Sequence, residues 1–567
     1  MSNIDLLRKL LITNNLNYYV VPKNDQYFQE YSNPDRLCYI SNFKGSAGIA
    51  FIGEEKNYLF VDGRYTIQAE IETGKQFKII DISKLSLKEF SKKFLKNKKI
   101  GFDPNLFTRK FLSNNFSEKC DLIPLYQNLI DKIINNKKNK KESFFFPLYK
   151  KISGENHIRK IKKIANILRK KNIDIIYISS PENVAWVLNI RGFDNPNSPI
   201  PNCKIILTKK GKIYFFSNYG KDKKLKKLKT YENINFHQEN NFLKVIENLD
   251  GKNCQIDANT CSIYHEDLIS NKFNIIRKDD PIYLLKSQKN KIEIENIKKS
   301  HVYDGVALTK FLFWIKNTKE PLNEISASRK LENIRKKNIN YLFPSFDTIS
   351  GSGPNSAIIH YKANSKSNRK IKKKDIYLCD SGGQYKYGTT DVTRTICFSN
   401  PSKHIKNIFT RVLKGHIAVV TTKLHKGITG KNLDLRARFW LKKINLDYPH
   451  GTGHGVGYFL NVHEGPQAIS KYNEISLNKG MILSNEPGYY KKNKFGIRIE
   501  NLIFVEEKKK VKFFENLTFV PIDKNLINYN LLSNDEKIYL KNYHKQVYKK
   551  IGLFLNLEEK KWLKSLI

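Results

Sequence analysis

The chain has 567 residues, enough for three to four domains at about 150 residues per domain, which excludes a single small binding module. Its 101 Lys and Arg against 54 Asp and Glu give a net charge of +47, but the lysines spread over the whole length. We therefore interpret them as solvated surface residues and do not expect a nucleic-acid partner. The hydrophobic content of 40% excludes a disordered protein.

Nothing in the sequence predicts export or membrane insertion. The apolar N-terminal stretch is interrupted by charged and amide side chains, and no other run approaches the ~18 apolar residues of a spanning helix. The seven cysteines are odd in number and never spaced as C-x-x-C, which favours reduced thiols over disulfides or a thiolate zinc site. We expect a cytoplasmic protein with no membrane partner.

The first two segments of the chain repeat one pattern. Helical spacing at residues 5–12 and 85–95 alternates with strand-like runs at residues 18–21, 49–52, 58–61 and 77–82. After a lysine-rich break at 135–142, which we interpret as a linker, a helix is predicted at 155–171 and strands at 174–179, 204–208 and 213–217. The repeated alternation suggests a duplicated α/β domain.

The pattern changes near residue 287. A long helical stretch at residues 289–316 precedes glycine-rich strand and turn segments between residues 351 and 500. The last sixty or so residues are apolar enough to pack, with an amphipathic helix predicted at 536–553. The fold class expected for the whole chain is therefore a multidomain protein, α/β in its first half and α+β in its second.

Acidic residues and histidines concentrate in the second half. Asp380 ends an apolar strand and Asp391 follows a glycine-containing turn, so paired strands would bring them side by side. On these residues alone, a hydrogen-bonded pair of turn aspartates is an equal alternative. Residues 450–457, HGTGHGVG, place two histidines among glycines that let backbone approach a ligand closely.

Two further motifs add carboxylates. NEPGYY supplies Glu486, and the alternation in GIRIEN puts Arg498 and Glu500 on one face of a half-buried strand. Four carboxylates with one imidazole suit hard or borderline divalent ions and argue against a structural zinc site. Two such ions would balance four negative charges, and a dinuclear site of this kind performs hydrolysis.

These motifs carry a specific resemblance. The strings DSGGQYKYGTTDVTRT, HGTGHGVGYFLNVHEGP, NEPGYY and GIRIEN, in this order and spacing, closely resemble the Xaa-Pro aminopeptidases (aminopeptidase P) of the pita-bread metallopeptidase family. The N-terminal strings GSAGIAFI, YLFVDGRYTIQAE and WVLNIRGFD, with the C-terminal ENLTFVPIDKNLI, look like its three-domain cytosolic form. The resemblance covers nearly the whole chain.

The resemblance implies a domain organisation. Residues 1–140 and 141–286 would form two creatinase-like N-terminal α/β domains. Residues 287–510 would form the pita-bread catalytic domain, and residues 511–567 a C-terminal extension packed on it.

The resemblance also implies residue roles. It makes five residues the metal ligands, with Asp391 and Glu500 bridging two ions that share the attacking hydroxide: Asp380, Asp391, His454, Glu486 and Glu500. Glu486 is in addition the candidate proton shuttle. Thr393 and Arg498 are better interpreted as groups that orient the ligand carboxylates.

Four other residues match positions near the substrate. His360 and His463 match histidines close to the substrate and its transition state. His450 matches another active-site histidine, for which a supporting role without substrate contact is an equal alternative. Asp62 and Arg64 would reach a neighbouring active site, where Arg64 would bind substrate, although a buried structural ion pair between them is at least as consistent with the sequence.

The implied cofactors are two divalent metal ions per subunit, with Mn²⁺ expected and Zn²⁺ or Co²⁺ as alternatives. The implied partners are peptides with proline at the second position and a second copy of the chain in a homodimer. Departures from the family pattern are small: Gly383 replaces a common Ala, and Asn485 replaces a common acidic residue before Glu486. Neither departure removes a ligand.

Two alternatives remain open. A prolidase or methionine aminopeptidase shares the fold, but these enzymes usually lack two N-terminal domains together with a C-terminal extension. A non-catalytic pita-bread binding protein, for nucleic acid or histones, is prompted by the charge of +47. Such proteins typically lose metal ligands, and all five positions are filled here.

Overall fold

The structure is a computed structural model that describes residues 2–134, 143–218 and 220–567. The linker predicted at residues 135–142 lies outside the described residues. The chain divides into two compact units, the first formed by residues 1–150 and 155–282 and the second by residues 151–154 and 283–567.

The first unit begins with a six-stranded sheet. Its strands are β1 (Tyr18–Pro22), β2 (Ile49–Gly53), β3 (Asn57–Val61), β4 (Lys78–Asp81), β5 (Lys99–Phe102) and β6 (Asp121–Pro124). They lie in the order β4-β3-β2-β1-β5-β6. Only β2 is antiparallel to its neighbours within this sheet.

A second sheet repeats this topology. The next strands are β7 (Phe146–Pro147), β8 (Ile175–Ile178), β9 (Ile190–Arg191), β10 (Cys203–Thr208), β11 (Ile213–Ser217), β12 (Ile234–Gln238), β13 (Asn253–Ile256) and β14 (Asn274–Arg277). Six of them form a sheet in the order β12-β11-β10-β8-β13-β14, and β7 pairs with β9. Here β10 is the antiparallel strand, in the position that β2 holds in the first sheet. The predicted duplication of an α/β domain is confirmed.

The described helices before residue 288 lie in the first unit, except two short ones at residues 150–153 and 282–287 that fall almost wholly in the second. The described helices of this part of the chain are α1 (Asn3–Thr13), α2 (Arg36–Ser41), α3 (Thr66–Thr73), α4 (Leu87–Phe94), α5 (Arg109–Asn115), α6 (Leu129–Ile133), α7 (Lys150–Ser153), α8 (His157–Lys170), α9 (Pro181–Leu188), α10 (Lys223–Lys226), α11 (Phe242–Glu247), α12 (Ile263–Ser270) and α13 (Ile282–Ser287). Ser2 and Ser86 cap α1 and α4, and the carboxylates of Asp5 and Glu89 complete the capping boxes. Local sequence signals therefore fix where these two helices begin.

The second unit is built on antiparallel strands. They are β15 (Tyr341–Pro344), β16 (Ile349–Ser352), β17 (Ile376–Ser381), β18 (Gly383–Tyr385), β19 (Gly388–Thr389), β20 (Val392–Cys397), β21 (Gly453–Gly455), β22 (Glu464–Ile469), β23 (Ile482–Asn485), β24 (Gly488–Lys491), β25 (Phe495–Arg498), β26 (Asn501–Lys508) and β27 (Val511–Asn516). The sheets β16-β17-β20 and β22-β21-β23-β26-β27 supply the side chains considered below.

Six helices pack around these strands. They are α14 (Lys291–Asn317), α15 (Glu324–Arg335), α16 (Lys403–Val420), α17 (Gly430–Lys442), α18 (Asn534–Ile551) and α19 (Leu557–Ser565). Leu540 and Val547 of α18 are buried in one hydrophobic cluster with Phe409 and Leu413 of α16. The C-terminal helices thus share a core with the strands and helices that precede them.

The expected fold class is confirmed, and the predicted elements agree closely with the structure. The helix predicted at 289–316 is α14, and the amphipathic helix predicted at 536–553 is α18. In the part of the chain that the structure describes, no helix is long and apolar enough to cross a membrane.

Candidate metal centre

Two neighbouring strands carry the two aspartates. Asp380 lies near the end of β17, which pairs antiparallel with β20 so that Asp380 faces Thr393. Asp391 immediately precedes β20 and is 4% exposed. The pairing of these two strands therefore brings both carboxylates to one place, as the sequence predicts.

Three further side chains complete the cluster. His454 lies in β21, Glu486 follows β23, and Glu500 lies between β25 and β26. His454 Nε2 is 3.5 Å from Asp391 Oδ2 and 3.4 Å from Glu486 Oε1. Ligand atoms of Asp391, His454 and Glu500 all lie within 4.8 Å of one another. Residues distant in the sequence thus converge on a space the size of a metal site.

The structure explains why the residues on either side of His454 are glycines. A Cβ atom on Gly453 would lie 1.9 Å from Ser484 O, and one on Gly455 would lie 2.4 Å from Glu464 O. Both glycines therefore allow β21 to approach its two neighbouring strands. Strand packing alone therefore accounts for these two glycines.

The electrostatics of the cluster fit a divalent cation. Burial, together with the neighbouring carboxylates, raises the pKa of Asp380 to about 6 and raises the pKa values of Glu486 and Glu500. Burial alone would lower the pKa of His454, but Asp391 and Glu486 raise it to about 9. Asp380 Oδ1 is buried and has no hydrogen-bond partner among the residues that the structure describes. Carboxylate oxygens with one imidazole and no thiolate are a donor set for hard or borderline divalent ions.

Hydrogen bonds hold the carboxylates in place. Arg498 Nη2 donates to Asp380 Oδ2 at 2.6 Å, and Arg498 Nε donates to Thr393 Oγ1 at 3.1 Å. Thr393 Oγ1 in turn donates to Glu500 Oε2 at 2.8 Å. Thr393 and Arg498 thus make the hydrogen bonds to Asp380 and Glu500 that are expected of residues that orient ligand carboxylates.

Three histidines lie close to this cluster. The rings of His463 and His454 make an edge-to-face contact with centroids 4.4 Å apart. His450 Nε2 is 2.9 Å from the hydroxyl of Tyr490. His360 follows Ile359, whose carbonyl accepts from Arg498 Nη2 at 3.4 Å.

Arg64 belongs to the first compact unit. Its guanidinium donates to both carboxylate oxygens of Asp62, at 2.9 and 2.7 Å, and about a third of its side chain is exposed. The ion pair that the sequence left as an alternative is therefore present, but it is partly exposed and not buried. Asp62 also lines a cavity of about 270 Å³ within the first unit.

Two residues of the site were missed by sequence reasoning. Ser484 Oγ donates to Glu486 Oε1 at 2.9 Å and accepts from the backbone N–H of His454. The hydroxyl of Tyr490 accepts from Arg498 Nη1 at 2.6 Å. The pairing of β24 with β25 places Tyr490 opposite Gly496 and near Arg498. A correct prediction of this hairpin and its register would therefore have identified Tyr490 as a neighbour of Arg498.

The two departures from the family pattern also have local explanations. A Cβ atom on Gly383 would lie 2.8 Å from the rings of Tyr341 and Tyr385, so no side chain fits there without movement. Asn485 Nδ2 donates to the carbonyl of His416 at 2.9 Å. Asn485 is thus engaged with helix α16.

Comparison with known families decides the membership. Residues 295–507 match metallopeptidase family M24, and residues 511–566 match the C-terminal region of that family. Residues 4–133 and 135–293 each match the creatinase/prolidase N-terminal domain. A "Probable Xaa-Pro aminopeptidase P" of Laccaria bicolor is 38% identical over 98% of this chain and 92% of its own length. The chain belongs to metallopeptidase family M24.

Other members of the family match over different lengths. "Xaa-Pro aminopeptidase 1" of Dictyostelium discoideum is 35% identical over 100% of this chain and 96% of its own. The X-prolyl aminopeptidase of Caenorhabditis elegans, described as a cytosolic enzyme with a di-nuclear active site, superposes with a TM-score of 0.93 at 29% identity, covering 100% of this chain and 98% of its own. The prolidase of Pyrococcus horikoshii, 28% identical with a TM-score of 0.52, covers 64% of this chain and 99% of its own.

Proposed function

We propose that this M24 protein is a metal-dependent aminopeptidase that hydrolyses the N-terminal Xaa-Pro bond of peptides. The observation that carries the proposal is the convergence of Asp391, His454 and Glu500 on one space, with Asp380 and Glu486 beside them. All five positions of the family's ligand set are filled. The full-length similarity to Xaa-Pro aminopeptidases supports the substrate class.

Each side chain of the site has a proposed task. Asp380, Asp391, His454, Glu486 and Glu500 would hold two divalent ions, which supply positive charge that polarises a carbonyl and acidifies water. Glu486, whose Oε1 accepts from Ser484 Oγ, would also accept a proton from the attacking water and pass it to the leaving nitrogen. His360 and His463 would contact the substrate, and His450 would do so or support Tyr490.

The chemistry of the Xaa-Pro bond explains why a dedicated site is needed. The prolyl nitrogen carries no N–H, so an enzyme that binds substrate through that donor fails on it. A site that acts on the carbonyl and contacts the prolyl ring from the side avoids this requirement. Carboxylates beside the free amino terminus would restrict cleavage to the first residue.

Several finer features belong to the same proposal. We expect Mn²⁺ as the activating ion, with Zn²⁺ or Co²⁺ as alternatives, a homodimer, and a cytoplasmic location. Arg64 would contact substrate in a neighbouring active site. The proposed domain boundaries are residues 1–140, 141–286, 287–510 and 511–567.

One experiment separates this function from its relatives. Protein stripped with chelator and reloaded with single divalent metals is assayed on an Xaa-Pro-Pro tripeptide, an Xaa-Pro dipeptide and a Met-Ala-Ser tripeptide. We expect metal-restored release of the first residue from Xaa-Pro-Pro, and no activity in the Asp391→Ala variant. Preference for the dipeptide would indicate a prolidase, and preference for Met-Ala-Ser a methionine aminopeptidase. Full activity of Asp391→Ala, or silence on all three peptides, would contradict the proposal.

A further inference from the structure

The segment that carries His360 has little regular structure. Strand β16 ends at Ser352, and a short 3₁₀ helix, Gly353–Ala357, follows. From residue 358 to residue 375, all of which the structure describes, the chain forms neither a helix nor a strand. The course of residues 352–369 therefore depends on individual hydrogen bonds.

One buried carboxylate receives several of these bonds. Glu324, the first residue of α15, has no exposed surface. Its Oε1 accepts from Ser352 N at 2.7 Å and Asn355 Nδ2 at 3.1 Å. Its Oε2 accepts from the Tyr361 hydroxyl and from Arg369 N, both at 2.8 Å. Two of these four donor residues precede His360 and two follow it, so Glu324 binds the segment on both sides of the histidine.

The opposite side of the segment is attached to the metal centre. Gly496 N donates to Ser356 Oγ at 2.7 Å, and Arg498 Nη2 donates to the carbonyl of Ile359 at 3.4 Å. The same guanidinium nitrogen donates to Asp380 Oδ2 at 2.6 Å. The segment is thus held between Glu324 on one side and strand β25 on the other, which relates the position of His360 to that of Asp380.

We propose that Glu324 is a positioning residue that fixes His360 relative to the metal centre. The proposal rests on the proposed function, because it takes His360 as a group that contacts the substrate. Displacement of such a group by about 1 Å can lower a rate about 10²-fold, even when the change lies far from the reacting atoms. Glu324 would contribute to catalysis in this way without touching the substrate.

The substitution Glu324→Gln tests the role with little change in volume. The amide nitrogen of glutamine must replace either Oε1, which faces Ser352 N, or Oε2, which faces Arg369 N. In either orientation the amide NH₂ group of the glutamine faces a backbone N–H, which is also a donor. That backbone N–H, of Ser352 or of Arg369, therefore loses its acceptor. We expect kcat/KM on an Xaa-Pro-Pro peptide to fall about 10²-fold in the metal-loaded protein.

Asp523→Asn is the matched control. Asp523 is buried in the same unit, and its oxygens accept from Cys397 N at 3.0 Å, Asn525 N at 3.2 Å and Lys316 Nζ at 2.6 Å. The substitution Asp523→Asn also places an amide NH₂ group against a hydrogen-bond donor. None of the partners of Asp523, however, lies in residues 352–369. We expect kcat/KM of this variant to stay within about threefold of the wild type.

A double-mutant cycle with His360→Ala shows whether Glu324 acts through His360. If it does, Glu324→Gln costs little further activity once the imidazole is absent, because the two effects are not additive. We expect a further loss of less than about threefold in the double variant. An equal loss from Glu324→Gln with and without His360, or a loss no larger than that of Asp523→Asn, would overturn the proposal.

A readout that does not depend on activity separates this proposal from the proposed function. The His360 signal in ¹³Cε1-histidine NMR spectra is assigned by its absence in His360→Ala. We expect it to shift in Glu324→Gln and to stay in place in Asp523→Asn, even if the wild type cleaves no Xaa-Pro peptide. An unchanged His360 signal in Glu324→Gln would refute positioning whatever the enzyme's substrate.

A milder variant covers the case in which Glu324→Gln fails to fold. Tyr361→Phe removes one donor to Glu324 Oε2 and keeps the ring. We expect a smaller displacement of the His360 signal in the same direction and a fall in kcat/KM of about three- to tenfold. An unchanged signal with unchanged kcat/KM in Tyr361→Phe would count against the proposal.

Discussion

At the scale of single residues, Arg498 connects the parts of the metal centre. Its guanidinium donates to Asp380, Thr393 and the hydroxyl of Tyr490, and it is 2% exposed. One buried positive charge offsets one of the four carboxylates. Because burying uncompensated carboxylates is costly, the remaining negative charge is relieved either by protonation, as the raised pKa values of His454, Glu486 and Glu500 indicate, or by bound cations.

Thr393 should matter because it joins Arg498 to Glu500. Thr393→Val removes the hydroxyl that donates to Glu500 Oε2 and accepts from Arg498 Nε. Loss of such a support typically costs 10- to 100-fold in metal affinity. We expect a loss in that range, measured by calorimetric titration of metal into chelator-stripped protein.

Thr395→Val is the control for this prediction. Thr395 lies in the same strand, is equally buried, and its hydroxyl contacts only backbone atoms of Arg498. We expect its metal affinity to remain within about threefold of the wild type. Equal losses in the two variants would mean that the strand, and not the bond to Glu500, sets the affinity.

At the scale of elements, buried ion pairs connect the start of the second unit to a strand of the metal centre. Lys286 at the end of α13 and Lys289, just before α14, both pair with Glu464. The three side chains are at most 1% exposed. Glu464 begins β22 and follows His463, so these pairs hold the segment that carries this histidine.

Lys289→Met should therefore destabilise the second unit. The variant leaves Glu464 buried with Lys286 as its remaining partner, at 3.5 Å. Because Lys286 still compensates the charge of Glu464, the cost is that of one charge-assisted hydrogen bond, typically about 2 kcal/mol. We expect a loss of that size in the free energy of unfolding, measured by urea titration.

Lys431→Met supplies the comparison for an exposed pair. Lys431 lies 3.2 Å from Glu474, and both side chains are at least half exposed. We expect a change of less than about 0.5 kcal/mol. A loss as large as that of Lys289→Met would show that burial does not control the strength of these pairs.

The sequence predicted the helices and strands better than it predicted the side-chain contacts between them. Long helices such as α14 and α18 have enough turns for the apolar period to show, and β11 was predicted with its observed ends. Strands β5 and β6 were missed because each has four residues and includes a glycine or a proline, Gly101 and Pro124, which weakens the strand signal. The ligand set was predicted from motifs, whereas Ser484 and Glu324 act through folded contacts that no local pattern encodes.

Helix α18 carries a histidine that should make stability depend on pH. His544 Nε2 accepts from the backbone N–H of Ile522, so the imidazole must be neutral there, and burial lowers its pKa to about 4. Because the folded pKa is below the unfolded value of about 6.5, the contribution is full above pH 6.5 and is lost as the pH falls to about 4.

His544→Gln tests this dependence. Between pH 7 and pH 5 the protonation of His544 should cost the wild type about 2 kcal/mol in the free energy of unfolding. Glutamine can accept from Ile522 N but does not titrate, so the variant should lose about 2 kcal/mol less over the same interval. Equal losses in urea titrations of the two proteins would show that His544 does not contribute.

At the scale of the whole molecule, the proposed metal ligands are confined to one part of the chain. All five lie between residues 380 and 500, in the second compact unit, whereas the two duplicated α/β domains form the first. A ligand that binds the native state stabilises the region that it holds together. Metal should therefore stabilise the chain unevenly.

Hydrogen exchange measured by mass spectrometry checks this prediction. At a free metal concentration of about 100 times Kd, binding adds about 2.7 kcal/mol to the stability of the native state. We expect slower exchange in β17, β20, β21, β23 and β26 after metal is added, because these strands carry or adjoin the ligands. The six strands β1 to β6 should exchange at the same rate with and without metal. Asp391→Ala should abolish the difference, since it removes a proposed bridging ligand, and uniform slowing over the whole chain would show that metal acts elsewhere.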